Sequence, residues 1–307
     1  MAERWTSRCR SCPTPAVAGS TFAASVLILL ALLGSRVDAQ DDAPTLALRS
    51  RSMQPGELVV ATVVAPASIT SVNITALGTL WPAFQMKDGT WQALIGIDLD
   101  THPGQYRVEA RLAGGSSADV GTTMTVVPKR FRRRTLRVSP EFVNPPPEIQ
   151  DRIVREAALL RDIYAVVSSE PGWRDGFVRP VPNAANSAFG TRSVFNGNAR
   201  SPHAGTDFLS PAGTPIHAPA AGRAVVAREL FFTGNTVIID HGLGVFSMLA
   251  HLSRIDVAEG QSIATGETIG LVGATGRVTG PHLHWALRIG AARVDALSAL
   301  ALLGNSR

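Results

Sequence analysis

The chain of 307 residues carries a formal net charge of +5, with 45% hydrophobic and 17% charged residues. This composition provides enough apolar side chains for buried cores and excludes a protein that is disordered throughout. The length favours two compact domains with appendages. No basic patch with interleaved aromatic residues occurs, so we expect no nucleic-acid partner. Ordinary solubility explains the weak positive charge, although that charge would also attract an anionic polymer.

Residues 1–39 have the three parts of a signal peptide: a basic start, an uncharged run over 22–33, and a small-residue site at Val37-Asp38-Ala39. The run is shorter than the roughly 20 residues of a membrane-spanning helix. We therefore expect export with cleavage after Ala39; an uncleaved anchor, which would be the one membrane contact, is the alternative. Cys9 and Cys12 precede the run, so their C-x-x-C spacing would be removed with the signal and does not indicate a zinc or redox site.

Residues 40–128 alternate apolar and polar side chains in short runs, for example over 58–64, 106–112 and 124–127. Turn-forming segments such as Lys87-Asp88-Gly89 separate the runs. This pattern predicts an N-terminal β-sandwich-like domain. Its histidine, His102, lies in a predicted turn and is expected at the surface. No residue of this domain indicates chemistry.

Residues 129–179 are predicted to connect two domains. The basic cluster of residues 129–134 is interpreted as a solvated strand or linker, with an acidic polymer as the alternative partner. Three prolines at 145–147 block regular structure. Apolar residues at spacings of three and four then predict one amphipathic helix over 148–167.

Residues 180–307 consist of short apolar runs broken by glycines, which predict a mainly antiparallel β domain. The predicted strands include 236–240, 244–249, 268–272 and 284–288, and a helix is predicted near 295–303. The expected fold class is therefore mainly β throughout, with a sandwich-like N-terminal domain, a linker helix and a C-terminal antiparallel domain.

Two segments of the last domain carry candidate metal ligands. His203 and Asp207 lie in Pro202-His203-Ala204-Gly205-Thr206-Asp207, where proline and glycine favour extended or looped backbone. His282 and His284 are two residues apart, so on a strand both side chains point to one face. Two histidines and one carboxylate form a hydrolytic zinc site with a fourth position open for water, although such a set also suits non-haem iron.

The combination of these motifs resembles the lysostaphin-like, or LytM-type, zinc metallopeptidases over roughly residues 190–295. Four stretches carry the resemblance: residues 202–207, 213–222, 250–253 and 273–284, the last being Gly-Ala-Thr-Gly through Gly-Pro-His-Leu-His. The resemblance implies a peptidase domain with a zinc groove. It also implies one zinc per chain held by His203, Asp207 and His284, with His251 and His282 as catalytic residues.

The resemblance further implies an exported endopeptidase that acts on peptidoglycan peptides in the periplasm or cell envelope. The family's usual tyrosine is Leu249 here, which removes a hydroxyl that could bind substrate. His217 and His241 are expected to be structural or surface residues. Related non-enzymatic regulators of cell-wall amidases lose zinc ligands, so the complete set favours an enzyme. A catalytically silent regulator, or a wall-binding protein that uses the N-terminal domain, is the alternative. The sequence predicts neither the oligomeric state nor which histidine is the general base.

Overall fold

The computed structural model describes residues 43–114, 119–137, 146–186 and 188–304. The expected signal peptide, with its two cysteines, lies outside the described residues, as does Pro145 of the three prolines. Neither helix of the described part combines the length and the apolar character needed to cross a membrane.

The N-terminal region forms two four-stranded antiparallel sheets with a common core, which confirms the sandwich-like prediction. In spatial order, the first sheet contains β1 (Thr45–Ser50), β2 (Leu58–Val64), β6 (Trp91–Gly96) and β5 (Phe84–Gln85). The second contains β4 (Thr79–Pro82), β3 (Ser71–Ala76), β7 (Gly104–Ala113) and β8 (Val120–Val126). Every second residue of β3 is buried, as expected for a strand with one face on the core.

The connector contains more regular structure than its prolines and charges suggest. Strand β9 (Arg133–Leu136), within and just after the basic cluster, pairs in parallel with β10 (Arg192–Phe195), and β11 (Asn198–Ala199) completes this small sheet. This parallel pair departs from the otherwise antiparallel prediction. Helix α1 spans Pro147–Tyr164, so it ends three residues before the predicted boundary. Proline suits its first turn because the missing N–H has no helical acceptor there.

A nine-stranded antiparallel sheet dominates the C-terminal region, as predicted. Its main path runs through β12 (Thr206–Phe208), β19 (Leu283–Ile289), β16 (Val245–Ile255), β15 (Gly234–Asp240), β14 (Gly222–Leu230) and β17 (Ser262–Ile263). Three further strands join it: β13 (Pro215–His217) pairs with β18 (Thr268–Val272), and β20 (Ala292–Val294) pairs with β19. Helix α2 (Ala296–Leu303) follows, with Asp295 as its N-cap.

The N-terminal sheets and the C-terminal sheet share one continuous hydrophobic core. The backbone N–H of Leu58 donates to Oγ of Ser298 at 3.0 Å, and this bond is buried. A β-carbon at Gly96 would lie 2.6 Å from Cβ of Ala292, so the backbone of β6 is in close contact with β20. A fragment of residues 180–307 would expose this interface to solvent.

An ion-pair cluster reinforces the same interface. The guanidinium of Arg293 donates two hydrogen bonds of 2.9 and 2.6 Å to Asp98 and one of 2.8 Å to Asp100. The backbone N–H of Arg293 also donates to Asp98 at 2.9 Å. Burial opposes ionisation of Asp98, but the bonds from Arg293 lower its pKa to about 2. A carboxylate with a depressed pKa stabilises the folded state at neutral pH and loses that effect in acid.

Replacement of Asp98 by asparagine should therefore lower the free energy of unfolding at pH 7 by about 1.5–3 kcal/mol, the range for a hydrogen bond to a charged group. The unfolded pKa is 3.8 and the folded value is about 2, so the wild-type advantage is complete above the first value. This stability advantage of the wild-type protein disappears as the pH falls through the folded pKa of about 2. Thermal unfolding of both proteins between pH 2 and 7 measures this difference. Asp162→Asn, at an exposed pair, should change little; a pH-independent gap for Asp98→Asn would contradict the prediction.

Candidate metal centre and flanking histidines

Three of the predicted site residues converge on one point. Strands β12 and β19 pair so that Asp207 lies directly opposite His284, and His203 precedes β12 on an extended segment. Nε2 of His203 and Nδ1 of His284 lie 3.1 and 3.0 Å from Oδ1 of Asp207, and 3.1 Å from each other. These three half-buried residues are called the metal triad below.

The hydrogen-bond pattern shows that the metal triad fits a cation. Nδ1 of His203 lies 3.1 Å from the carbonyl oxygen of Ala188, which can only accept, so Nδ1 carries the hydrogen. In the neutral ring the lone pair of Nε2 therefore faces a carboxylate oxygen, and two acceptors at this distance need a proton or a cation between them. Ligands bound tetrahedrally at about 2.0–2.1 Å are roughly 3.3 Å apart, close to the observed separations.

The electrostatics favour the metal-binding protonation states. Burial opposes ionisation of Asp207, but hydrogen bonds with His203 and His284 hold the pKa of that carboxyl well below its usual range. Burial lowers the pKa of His284, which favours the neutral ring. An ionised carboxylate and neutral imidazoles are the forms that bind a metal.

Local packing orients His284, the third candidate ligand. Leu283 and Trp285, on either side of His284, are fully buried in the core, and Nε1 of Trp285 donates to Oγ of Ser247. The alternation of β19 then points His284 away from the core. A β-carbon at Gly205 would lie 2.4 Å from Cε1 and 2.5 Å from Nε2 of His284, so only glycine leaves room for the imidazole.

His251 and His282, called the flanking histidines below, lie beside the metal triad. Their ring centroids are 4.9 Å apart, and Nε2 of His282 is 3.8 Å from Oδ1 of Asp207. Each Nδ1 is 2.9 Å from a backbone carbonyl, of Thr275 for His251 and of Gly280 for His282. A neutral ring at either position would therefore keep a basic Nε2, because Nδ1 carries the hydrogen. Burial lowers the pKa of His251 to about 4.

The position of His251 is set by backbone features that the sequence analysis does not predict. Its φ is +69°, an uncommon value for a residue with a side chain and one that tends to occur at functional sites. Its N–H donates to the carbonyl of Thr233 at 2.9 Å. Oγ1 of Thr275 donates to the carbonyl of Leu252 and accepts from the N–H of Asn235. The Gly-Ala-Thr-Gly motif of residues 273–276 is the sequence feature that could have predicted these hydrogen bonds of Thr275.

The remaining histidines lie elsewhere. His102 is exposed, and Nδ1 of His217 donates to the carbonyl of Gly266. His241 is fully buried, donates to the carbonyl of Ala221 and packs 5.7 Å from the ring of Phe177. Leu249 is buried in the core opposite Trp285, so the side chain at this position does not line the site.

Comparison with known proteins agrees with this geometry. A family model described as Peptidase family M23 matches residues 201–296, a range that contains the metal triad and the flanking histidines. A solved structure from Pseudomonas aeruginosa, of a protein assigned to peptidase M23, is 33% identical and covers 81% of this chain and 95% of that chain, with a TM-score of 0.64. The chain belongs to peptidase family M23. The resemblance to lysostaphin-like peptidases is thereby confirmed.

Two curated relatives match a shorter region. Peptidoglycan DD-endopeptidase ShyA of Vibrio cholerae is 46% identical over 98 residues, 32% of this M23 chain and 23% of that protein. DD-carboxypeptidase/endopeptidase Mpg of Neisseria meningitidis is 45% identical over 96 residues, 31% of this chain and 22% of that protein. The match thus covers less than a quarter of the length of either relative.

Replacement of Gly205 by alanine should weaken metal binding by roughly 10- to 100-fold, the range for changes that disturb ligand orientation in metal sites. The added methyl group would displace the His284 ring. Competition with a chelating dye measures the affinity, and thermal unfolding of the metal-free protein reports the fold. Gly104→Ala is the matched control, because its β-carbon would meet nothing closer than 3.8 Å. Equal metal affinity for the two variants would refute the steric role of Gly205.

Proposed function

We propose that this chain is a zinc-dependent endopeptidase that hydrolyses peptide bonds of bacterial peptidoglycan. The observation that carries the proposal is the convergence of the metal triad with the two flanking histidines at one site. Membership of peptidase family M23 supports peptidase chemistry. The names of ShyA and Mpg support a peptidoglycan peptide as the substrate.

In this proposal His203, Asp207 and His284 hold one zinc ion. Zinc, when bound, supplies Lewis acidity that activates water and polarises an amide carbonyl. Zinc is preferred to iron because the chain is an M23 peptidase; the ligand types alone suit both metals. The bond from His203 to the carbonyl of Ala188 fixes the ring orientation, as outer partners of metal ligands commonly do.

The flanking histidines carry the proton transfers. The bonds from Nδ1 to the carbonyls of Thr275 and Gly280 hold both rings in place and leave Nε2 as the atom that accepts a proton. An imidazolium formed in this way can stabilise the developing oxyanion or return the proton to the leaving amine. The completeness of this set argues against the alternative of a catalytically silent amidase regulator.

Alanine variants of the three histidines separate ligand from proton carrier. His284→Ala should lose both zinc and hydrolysis, because it removes a ligand. His282→Ala and His251→Ala should keep zinc near one equivalent and lose about 10²–10⁴ in rate, the usual contribution of a general acid or base. Zinc content is measured by metal analysis, and activity by mass spectrometry of peptides released from purified sacculi.

His217→Ala is the matched control, since this histidine lies outside the site, and it should keep both zinc and activity. Loss of zinc in His282→Ala as complete as in His284→Ala would overturn the division of roles. If the zinc-loaded wild-type protein released no peptides from purified sacculi, the proposed function itself would be wrong.

We also propose export to the periplasm or cell envelope, because peptidoglycan lies outside the cytoplasmic membrane and residues 1–39 have the parts of a signal peptide. The exported chain should begin at Gln40, which N-terminal sequencing of envelope material measures. A chain that keeps Met1 in the membrane fraction would show an anchor instead.

A further inference from the structure

A β-bulge lies in β16 next to the metal triad. The register of the β15–β16 pair shifts by one residue between Asn235 and Val237. Two residues of β16, Ala250 and His251, there lie opposite a single residue of β15. Bulges commonly redirect a side chain beside an active site. The positive φ of His251 falls within this bulge, so the bulge sets the direction of one of the flanking histidines.

The hydroxyl of Thr275 bridges the two strands beside the bulge. Its Oγ1 accepts from the backbone N–H of Asn235 at 2.9 Å and donates to the carbonyl of Leu252 at 2.8 Å; these two residues pair across the strands. A hydroxyl can accept and donate at once, whereas a methyl group can do neither. The carbonyl of Thr275 also accepts from Nδ1 of His251 at 2.9 Å. One residue thus contacts both the strands at the bulge and the ring that the bulge presents.

The loop around Thr275 is also held by contacts that do not involve its hydroxyl. The backbone N–H of Arg277 donates to the carbonyl of Phe232 at 3.0 Å, and the guanidinium of Arg277 lies 4.4 Å from the ring centroid of Phe232. A β-carbon at Gly276 would lie 2.3 Å from the backbone nitrogen of Gly234, so the two backbones are in close contact. Loss of the hydroxyl would therefore leave the loop attached to the start of β15 and would act mainly on the bulge.

The backbone conformation of His251 needs support from its surroundings. A left-handed φ is unfavourable for a residue with a β-carbon, and it persists only where neighbouring structure fixes it. The N–H of His251 donates to the carbonyl of Thr233 at 2.9 Å, which is one restraint. The bond from Oγ1 of Thr275 to the carbonyl of Leu252, the next residue, is a second. Without the hydroxyl, the backbone on the C-terminal side of His251 would lose this second restraint.

We propose that the hydroxyl of Thr275 is a positioning group that holds the bulge and so keeps the imidazole of His251 in one orientation and one tautomer. The bond to the carbonyl of Thr275 requires the hydrogen on Nδ1. A displaced bulge would weaken that bond and admit the other tautomer, in which Nε2 carries the hydrogen and is no longer basic. The effect on hydrolysis rests on the proposed function, in which His251 transfers protons, whereas the effect on the tautomer does not.

Nuclear magnetic resonance of the imidazole nitrogens tests the positioning role without hydrolysis. In the zinc-loaded full chain at pH 7, the ring of His251 should show a single form with the hydrogen on Nδ1. Thr275→Val, which replaces the hydroxyl by a methyl group, should give a mixture of both tautomers, and Thr275→Ser should restore the single form. Thr214→Val is the matched control, because its hydroxyl donates to the carbonyl of Pro211 outside the site, and it should change nothing.

Hydrolysis of purified sacculi measures the consequence for the reaction. Thr275→Val should keep zinc near one equivalent and lose about 10²-fold in rate, the cost of displacing a reacting group by about 1 Å. In a His251→Ala background the same substitution should cost little further rate, because the hydroxyl acts through His251 and the two losses are not additive. A hydroxyl that only stabilised the fold would cost the same rate in both backgrounds.

Three results would overturn the positioning role: a single Nδ1–H form in Thr275→Val, a mixture in Thr275→Ser, or an equal loss of rate in both backgrounds. Thermal unfolding shows whether each variant keeps its fold. Thr275→Ala, which removes the hydroxyl without adding bulk, provides the same test if the valine variant does not fold. Hydrolysis by the wild-type protein with a tautomer that ignores the hydroxyl refutes only the positioning role. A tautomer that responds to the hydroxyl in a wild-type protein without hydrolysis refutes only the proposed function.

Discussion

The pairing of β12 with β19 is the constraint on which the site depends. Its register places Asp207 opposite His284, and the side chains of Leu283 and Trp285 enter the core on the other face. A shift of one residue would turn every side chain of a strand to the opposite face. It would bury the imidazole of His284 and expose the indole of Trp285. The buried apolar face of β19 therefore specifies the geometry of the metal triad.

The flanking histidines depend on a second constraint, the loop between β18 and β19. The carbonyls of Thr275 and Gly280 in this loop orient both rings. The loop is in turn held against the turn before β15, because β-carbons at Gly234 and Gly276 would each meet the other segment within 2.6 Å. Backbone carbonyls, which do not titrate, thus set the orientation of both flanking rings.

Much of the fold and of the candidate site follows from local sequence patterns, and the exceptions have a common physical origin. Period-two alternation predicts the sandwich-like sheets and the face shared by His282 and His284, because both depend on neighbouring residues. The parallel pairing of β9 with β10 joins segments far apart in sequence, and no local pattern encodes it. The positive φ of His251 and the steric role of Gly205 likewise arise from packing between distant strands.

The N-terminal sheets are connected to the metal triad through buried polar groups. Oγ1 of Thr206, the residue before Asp207, donates to Oδ1 of Asp295 at 2.8 Å. The other carboxylate oxygen of Asp295 accepts from Arg51, which also binds Glu57. Burial opposes ionisation of Glu57, but bonds from Arg51 and Lys129 lower its pKa, so the charges of this network are balanced. Leaving one member of a buried ion-pair network without its partner costs several kcal/mol. The N-terminal sheets therefore help to hold the strand that carries Asp207, and a catalytic fragment without them would have to satisfy Asp295 and Thr206 in another way.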